Sequence, residues 1–153
     1  MAPYWSPSDD CKVGCGQPSR AKGSYLCERH FRLLHRQDAK RAKRGWKIDH
    51  EVRFHAMQEQ WNEAIGGFEC HITKVKLSDD QFSPLRASWE HLEPANEKTA
   101  VLAAAIFNHM KSDLTESEFR DVVTELARYF AKRNAVFNTT LLPKRPFRPN
   151  ALS

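Results

Sequence analysis

Ser88-Trp89-Glu90-His91-Leu92-Glu93-Pro94, followed shortly by Val101-Leu102-Ala103-Ala104-Ala105-Ile106-Phe107-Asn108-His109-Met110-Lys111-Ser112-Asp113, is the stretch from which the fold is best read. Residues 86–92 read as a strand that Pro94 closes, because proline cannot donate to a ladder. The Ala-rich run that follows is a strong helix former and predicts a helix over 98–110. Upstream, residues 68–77 are rich in β-branched side chains and predict another strand, joined by a loop over 78–84. Downstream, Thr115-Glu116-Ser117-Glu118 has capping-box spacing. Phe119, Val122, Val123, Leu126 and Phe130 then recur at helical intervals, predicting an amphipathic helix to about residue 133. Strands followed by helices in this order make the chain α+β.

The N-terminal half reads differently. Cys11, Cys15, Cys27 and His30 stand as C-x3-C-x11-C-x2-H, two short ligand pairs separated by a loop, which is the arrangement tetrahedral zinc needs. Four protein ligands leave no open position, so the expected role is structural: metal bonds replace the core that a twenty-residue knuckle lacks. The plain alternative is three scattered thiols and a helix histidine. Residues 28–44 are helical in character and basic, with Gly45 as a stop. Arg32, Arg36, Lys40, Arg41, Lys43 and Arg44 are its candidate nucleic-acid contacts, set against the simpler reading of a solvated face. A second helix is expected over 47–64, with Ile48, Val52, Trp61 and Ile65 as its apolar stripe, before Gly66-Gly67. His50-Glu51 and His55 do not make a zinc-protease motif: histidines five apart diverge by about 140° around a helix.

Glu90-His91, the Pro-containing turn and the Asn108-x-x-Lys111-x-Asp113 ending resemble the HNH, or ββα-metal, endonuclease motif, a likeness spanning residues 68–119. Cys70-His71-Ile72-Thr73 resembles that motif's opening in the variant where Thr replaces a second cysteine, and Leu26-Cys27-Glu28-Arg29-His30-Phe31 resembles the end of Cys3His knuckles accompanying phage-type HNH proteins. The resemblance implies a metal-dependent DNA endonuclease. His91 would be the general base; Glu90 and Asn108 would hold a catalytic Mg2+ or Mn2+ beside the structural Zn2+; Lys111, one helical turn beyond Asn108, would contact phosphate. His109 would replace Asn108 if the register is off by one. The sequence departs from the pattern in Glu90, where Asp is usual, and in the orienting Asn, which falls at Thr99 with Asn96 as the alternative. It also lacks the second-zinc cysteines, Phe107 standing in a ligand's place. Packing of Phe68, Ile72, Trp89, Ile106 and Phe107 is then expected to hold the core, with Cys70 a buried small hydrophobe. These departures keep open a second function, a catalytically inactive HNH-like module that binds nucleic acid or protein.

The resulting organisation is a zinc knuckle with basic helix over 1–45, a connecting helix over 46–67, an HNH-like core with its following helix over 68–133, and an extended basic tail over 134–153. The tail's Pro143, Pro146 and Pro149 recur every three residues, as in a polyproline-type ligand or a basic strap, against the plainer reading of a tail packed on its own domain or loosely solvated. In a chain of 153 residues, 41% hydrophobic and 28% charged, catalysis and recognition must share one modest fold. Lys and Arg number 24 against 19 Asp and Glu, which favours a polyanionic partner: double-stranded DNA first, RNA as the alternative. The longest apolar run, residues 100–107, is far short of the roughly 20 residues a membrane span needs, and the first ten residues lack a secretory signal. The expected address is cytoplasmic, a host cell's cytoplasm if phage-encoded, with no membrane and no small-molecule cofactor.

Overall fold

The computed structural model describes residues 10–21, 24–93 and 96–132, and positions 136, 138 and 140; Gly23, Pro94 and the proline-spaced tail lie outside them. The chain is α+β. Helices α1 (Glu28–Leu34), α2 (Asp38–Lys43) and α3 (His50–Gln60) come first, followed by a small antiparallel pair, β1 (Trp61–Asn62) with β2 (Gly67–Phe68). A longer antiparallel hairpin, β3 (Ala87–His91) with β4 (Ala100–Ala104), leads directly into α4 (Ala105–Lys111), and α5 (Glu116–Ala131) follows. Among the described residues no helix is long and apolar enough to cross a membrane.

The Ala-rich segment departs from its sequence propensity. Residues 100–104 form a strand in register with β3, Ala87 opposite Ala104 and His91 opposite Ala100, and helix begins only at Ala105. Helix propensity differences are a few tenths of a kcal/mol per residue, so a strand that completes a ladder overrides them. Small side chains suit the position: Ala100, Ala103 and Ala104 are buried where α3 packs on β4. Gln60, the last residue of α3, satisfies the strand's outer edge. Its Nε2 donates to Leu102 O (2.8 Å), and its Oε1 accepts from Leu102 N (2.7 Å). Cys70, fully buried, accepts a hydrogen bond from Ala104 N through Sγ at 3.3 Å. The first turn of α4 gives its free amides to the preceding loop, Ala105 N to Arg86 O (2.9 Å) and Ile106 N to Pro84 O (3.0 Å).

Other expectations are revised. The basic segment is two helices, because Arg36 N and Asp38 N close short turns on Leu33 O and His35 O and Gln37 adopts φ 65°. The strand expected over 68–77 doubles back: Cys70 N donates to Val75 O, Lys74 N to Cys70 O and Leu77 N to Phe68 O. The inward face of α3 carries Arg53, Ala56 and Met57, at i, i+3 and i+4, instead of the Ile48/Val52/Trp61/Ile65 stripe. Asp49 caps this helix by accepting from Val52 N. Phe68 and Trp89 are buried and Ile72 and Phe107 pack against them, but Ile106 is 41% exposed. The capping box is present: Thr115 Oγ1 accepts from Glu118 N (3.2 Å) and Glu118 Oε2 from Thr115 N (2.8 Å).

Candidate metal centre and hairpin site

The loop over residues 11–27 and the first turn of α1 bring Cys11, Cys15, Cys27 and His30 together, with one ligand atom from each within 4.8 Å of the others. Cys11 Sγ lies 3.3 Å from His30 Nδ1, and Cys15 Sγ 3.9 Å from Cys27 Sγ. Gly14, at φ 96°, makes the turn between the first two cysteines, where a side chain would be strained and would meet Trp61. The donor set fits a metal such as zinc. Burial, with the Arg29 charge beside it, pushes the His30 imidazole down to about 4, so the ring is neutral as ligation requires. Burial also pushes the Cys15 thiol up to about 12, and crowding by Cys11 and Cys27 adds to it. The Cys15 sulfur thus resists becoming a thiolate until a cation sits beside it.

The hairpin sorts its residues by strand alternation. Ser88 and Glu90 face α4, whereas Trp89 faces α1 and α3 and His91 faces α2. On the α4 side, Asn108 Nδ2 donates to Ser88 Oγ and to Trp89 O, both at 2.9 Å, which turns its amide oxygen the other way. Lys111 does not reach outward to phosphate. It is 1% exposed, with Nζ 2.6 Å from Glu90 Oε1 and donating to His91 O at 2.9 Å. The reason is electrostatic: a carboxylate as buried as Glu90, 2% exposed, requires a cation. Burial pushes the Glu90 carboxyl up, Lys111 opposes this and Glu116 adds to it. Glu90 Oε2 has no hydrogen-bond partner among the described residues.

His91 lies in a second network on the opposite face. Its Nε2 is 3.2 Å from Glu97 Oε1 and 3.1 Å from Arg41 Nη1, and the Trp46 ring meets it edge-on at 5.9 Å. Glu97 accepts from Arg41 Nη1 (2.6 Å), Arg53 Nη2 (3.1 Å) and Arg53 Nε (3.3 Å). Burial and the Arg41 charge hold the His91 imidazole below its ordinary 6.5 against the pull of Glu97. Glu97, Arg53 and Trp46 were not singled out by sequence, because nothing local in the chain marks an acid or an arginine as buried. Thr99 and Asn96 make no hydrogen bond to His91 among the described residues; they bond within the loop, Thr99 Oγ1 donating to Asn96 O at 2.7 Å.

The cations of the basic segment also divide. Arg41 is buried against Glu97, and Arg36 donates to Ala87 O at 2.6 Å, tying the segment to β3. Arg32, Lys40, Lys43 and Arg44 are exposed. Comparison with family models, with curated proteins and with solved structures finds no significant match to this chain.

Proposed function

We propose that the chain is a metal-dependent DNA endonuclease of HNH type that carries a structural zinc knuckle. The observation that carries the reading is the buried, unpartnered Oε2 of Glu90 on the hairpin face covered by α4, the helix that bears Asn108. An orphaned carboxylate oxygen in so buried a position calls for a cation or ordered water. The resemblance implies Glu90-His91 at the end of a strand and Asn108 on a following helix, and β3 and α4 have that order, with β4 interposed where helix was expected. A hard divalent ion held by Glu90 and Asn108 would supply a Lewis acid for the phosphoryl oxygens. Lys111 then positions Glu90 through the other carboxylate oxygen and does not touch substrate.

His91 accepts a proton from water, and its depressed pKa keeps it in the basic form at neutral pH. Nε2 of His91 is held between the donor Arg41 Nη1 (3.1 Å) and Glu97 Oε1 (3.2 Å), so Arg41 and Glu97 together do the orienting expected of an Asn. Glu90 and His91 leave the end of β3 on opposite faces, the base toward α2 and the metal-holding carboxylate under α4, so substrate would have to engage both sides of that strand end. Arg32, Lys40, Lys43 and Arg44 on the adjoining surface supply phosphate contacts.

A specific observation favours the second reading, a non-catalytic nucleic-acid-binding module: Lys111 already neutralises Glu90 at 2.6 Å. Incubating supercoiled plasmid with the zinc-loaded protein and Mg2+ or Mn2+ separates the two. Nicking or linearisation that disappears in His91→Ala, in Asn108→Ala and with EDTA is the expected result. Plasmid binding with no cleavage of DNA or RNA would leave the binding module.

A further inference from the structure

Outside both ligand sets, but joined to the His91 network through Arg53 and Glu97, His35, Asp38 and His50 converge where three helices meet. His35 is the C-cap of α1, Asp38 the first residue of α2 and His50 the first of α3. His35 Nδ1 lies 2.8 Å and His50 Nε2 2.7 Å from the same oxygen, Asp38 Oδ2, and the imidazole centroids are 4.5 Å apart. One ligand atom from each residue falls within 4.8 Å of the others. The side chains are 38%, 24% and 39% exposed, so ions in solution can reach them.

The support behind the carboxylate is more elaborate than a surface hydrogen bond needs. Asp38 Oδ1 accepts from Arg53 Nη1 (3.1 Å), and that fully buried guanidinium is fixed in turn by Leu34 O and Glu97. Asp38 is thus anchored by one oxygen and presents the other, the arrangement by which an outer shell orients a metal-binding carboxylate. Glu97 offsets the Arg53 charge, limiting its repulsion of an incoming cation. Burial would raise the Asp38 carboxyl, but its hydrogen bonds to His50 and His35 and the Arg53 charge hold it below its ordinary 3.8, so it is ionised and ready to ligate.

We infer that His35, Asp38 and His50 form a second, solvent-accessible metal site for a borderline first-row divalent ion of the Zn2+ or Co2+ class. Two imidazoles and a carboxylate suit such ions better than Mg2+ or Ca2+, which prefer oxygen alone. Ligation needs the imidazole lone pairs at the atoms that now face Asp38, and a tautomer shift provides them without releasing a proton from a neutral ring. Three protein ligands leave at least one coordination position open to water or another small ligand, unlike the closed Cys3His knuckle. This site is independent of the nuclease reading.

Equilibrium dialysis of the full chain against micromolar Zn2+, with bound metal measured by mass spectrometry, should give a second equivalent beyond that of the knuckle. That equivalent should be lost in His50→Gln and in His35→Ala but kept in Asn108→Ala, which excludes the hairpin face as its source. In the Co2+-loaded protein the second equivalent should add weak visible bands without further sulfur-to-cobalt charge transfer in the near ultraviolet. A wild-type chain that retains only one equivalent overturns the assignment. So does a second equivalent that survives in both histidine variants or that carries thiolate bands.

Discussion

Glu97 brings one negative charge to Arg41, Arg53 and His91, and its role is accordingly large for a residue in a 3-10 turn. Burial alone would raise its carboxyl, but Arg53 and Arg41 outweigh that and hold it below its ordinary 4.5. A carboxylate depressed in the folded state contributes stability that is complete above its unfolded pKa and is lost as pH falls through the folded value. Glu97→Gln should therefore destabilise the protein most at neutral pH. Leaving Arg53, 0% exposed, and Arg41 without their shared carboxylate is expected to cost on the order of 3–5 kcal/mol. Urea unfolding at pH 7 and near pH 3.5 checks this. The gap between wild type and variant should shrink at the lower pH, which lies below the ordinary carboxylate value, and vanish only as pH falls through the lowered folded value; a gap that stays constant would mean that the charge on Glu97 contributes nothing. Charge networks of this kind escape a sequence reading because the partners are remote: Glu97 and Arg41 are separated by 56 positions, Glu97 and Arg53 by 44.

At the scale of elements, local signals survived and competitive ones did not. The box at Thr115 and Glu118 closes over one turn of backbone, and the structure forms it where its spacing places it. Thr115→Ala should cost about 1 kcal/mol, the ordinary value of an N-cap, read as a lowered urea midpoint; an unchanged midpoint would mean α5 frays without cost. The Cys3His quartet is legible for the same reason, since its pairs Cys11/Cys15 and Cys27/His30 are close in sequence, at the spacing a tetrahedral metal site needs. Residues 100–104 were not legible as a strand, because alanine favours helix and the deciding partner is the side chain of Gln60, 42 positions from Leu102. Residues 28–44 likewise show the basic run but not the break at Gln37, which Asp38 accompanies by binding His35, His50 and Arg53.

For the molecule as a whole, the knuckle and the hairpin share one interior. Cys11, Leu26 and Cys27 belong to the same buried cluster as Met57, Phe68, Trp89 and Leu102, and His30 packs edge-on against Trp61 and Phe68 at 5.3 and 5.1 Å. Among the described residues the knuckle's buried side chains therefore share the core of α3 and the hairpin. Structural zinc contributes about 10–16 kcal/mol of apparent binding free energy in zinc-finger peptides, as much as the roughly 5–15 kcal/mol that hold a typical domain folded. If the metal holds four side chains that line the common core, removing it should unfold the knuckle and loosen the β3–β4 hairpin together. In a variant whose other three tryptophans are replaced by Phe, treatment with a strong zinc chelator is expected to abolish a single thermal transition seen alike by far-ultraviolet circular dichroism and by the fluorescence of buried Trp89, with recovery of both signals on adding Zn2+. Loss of the N-terminal helical signal with Trp89 fluorescence unmoved would instead make the knuckle an independent appendage, and the shared interior would then be a matter of contact without thermodynamic coupling.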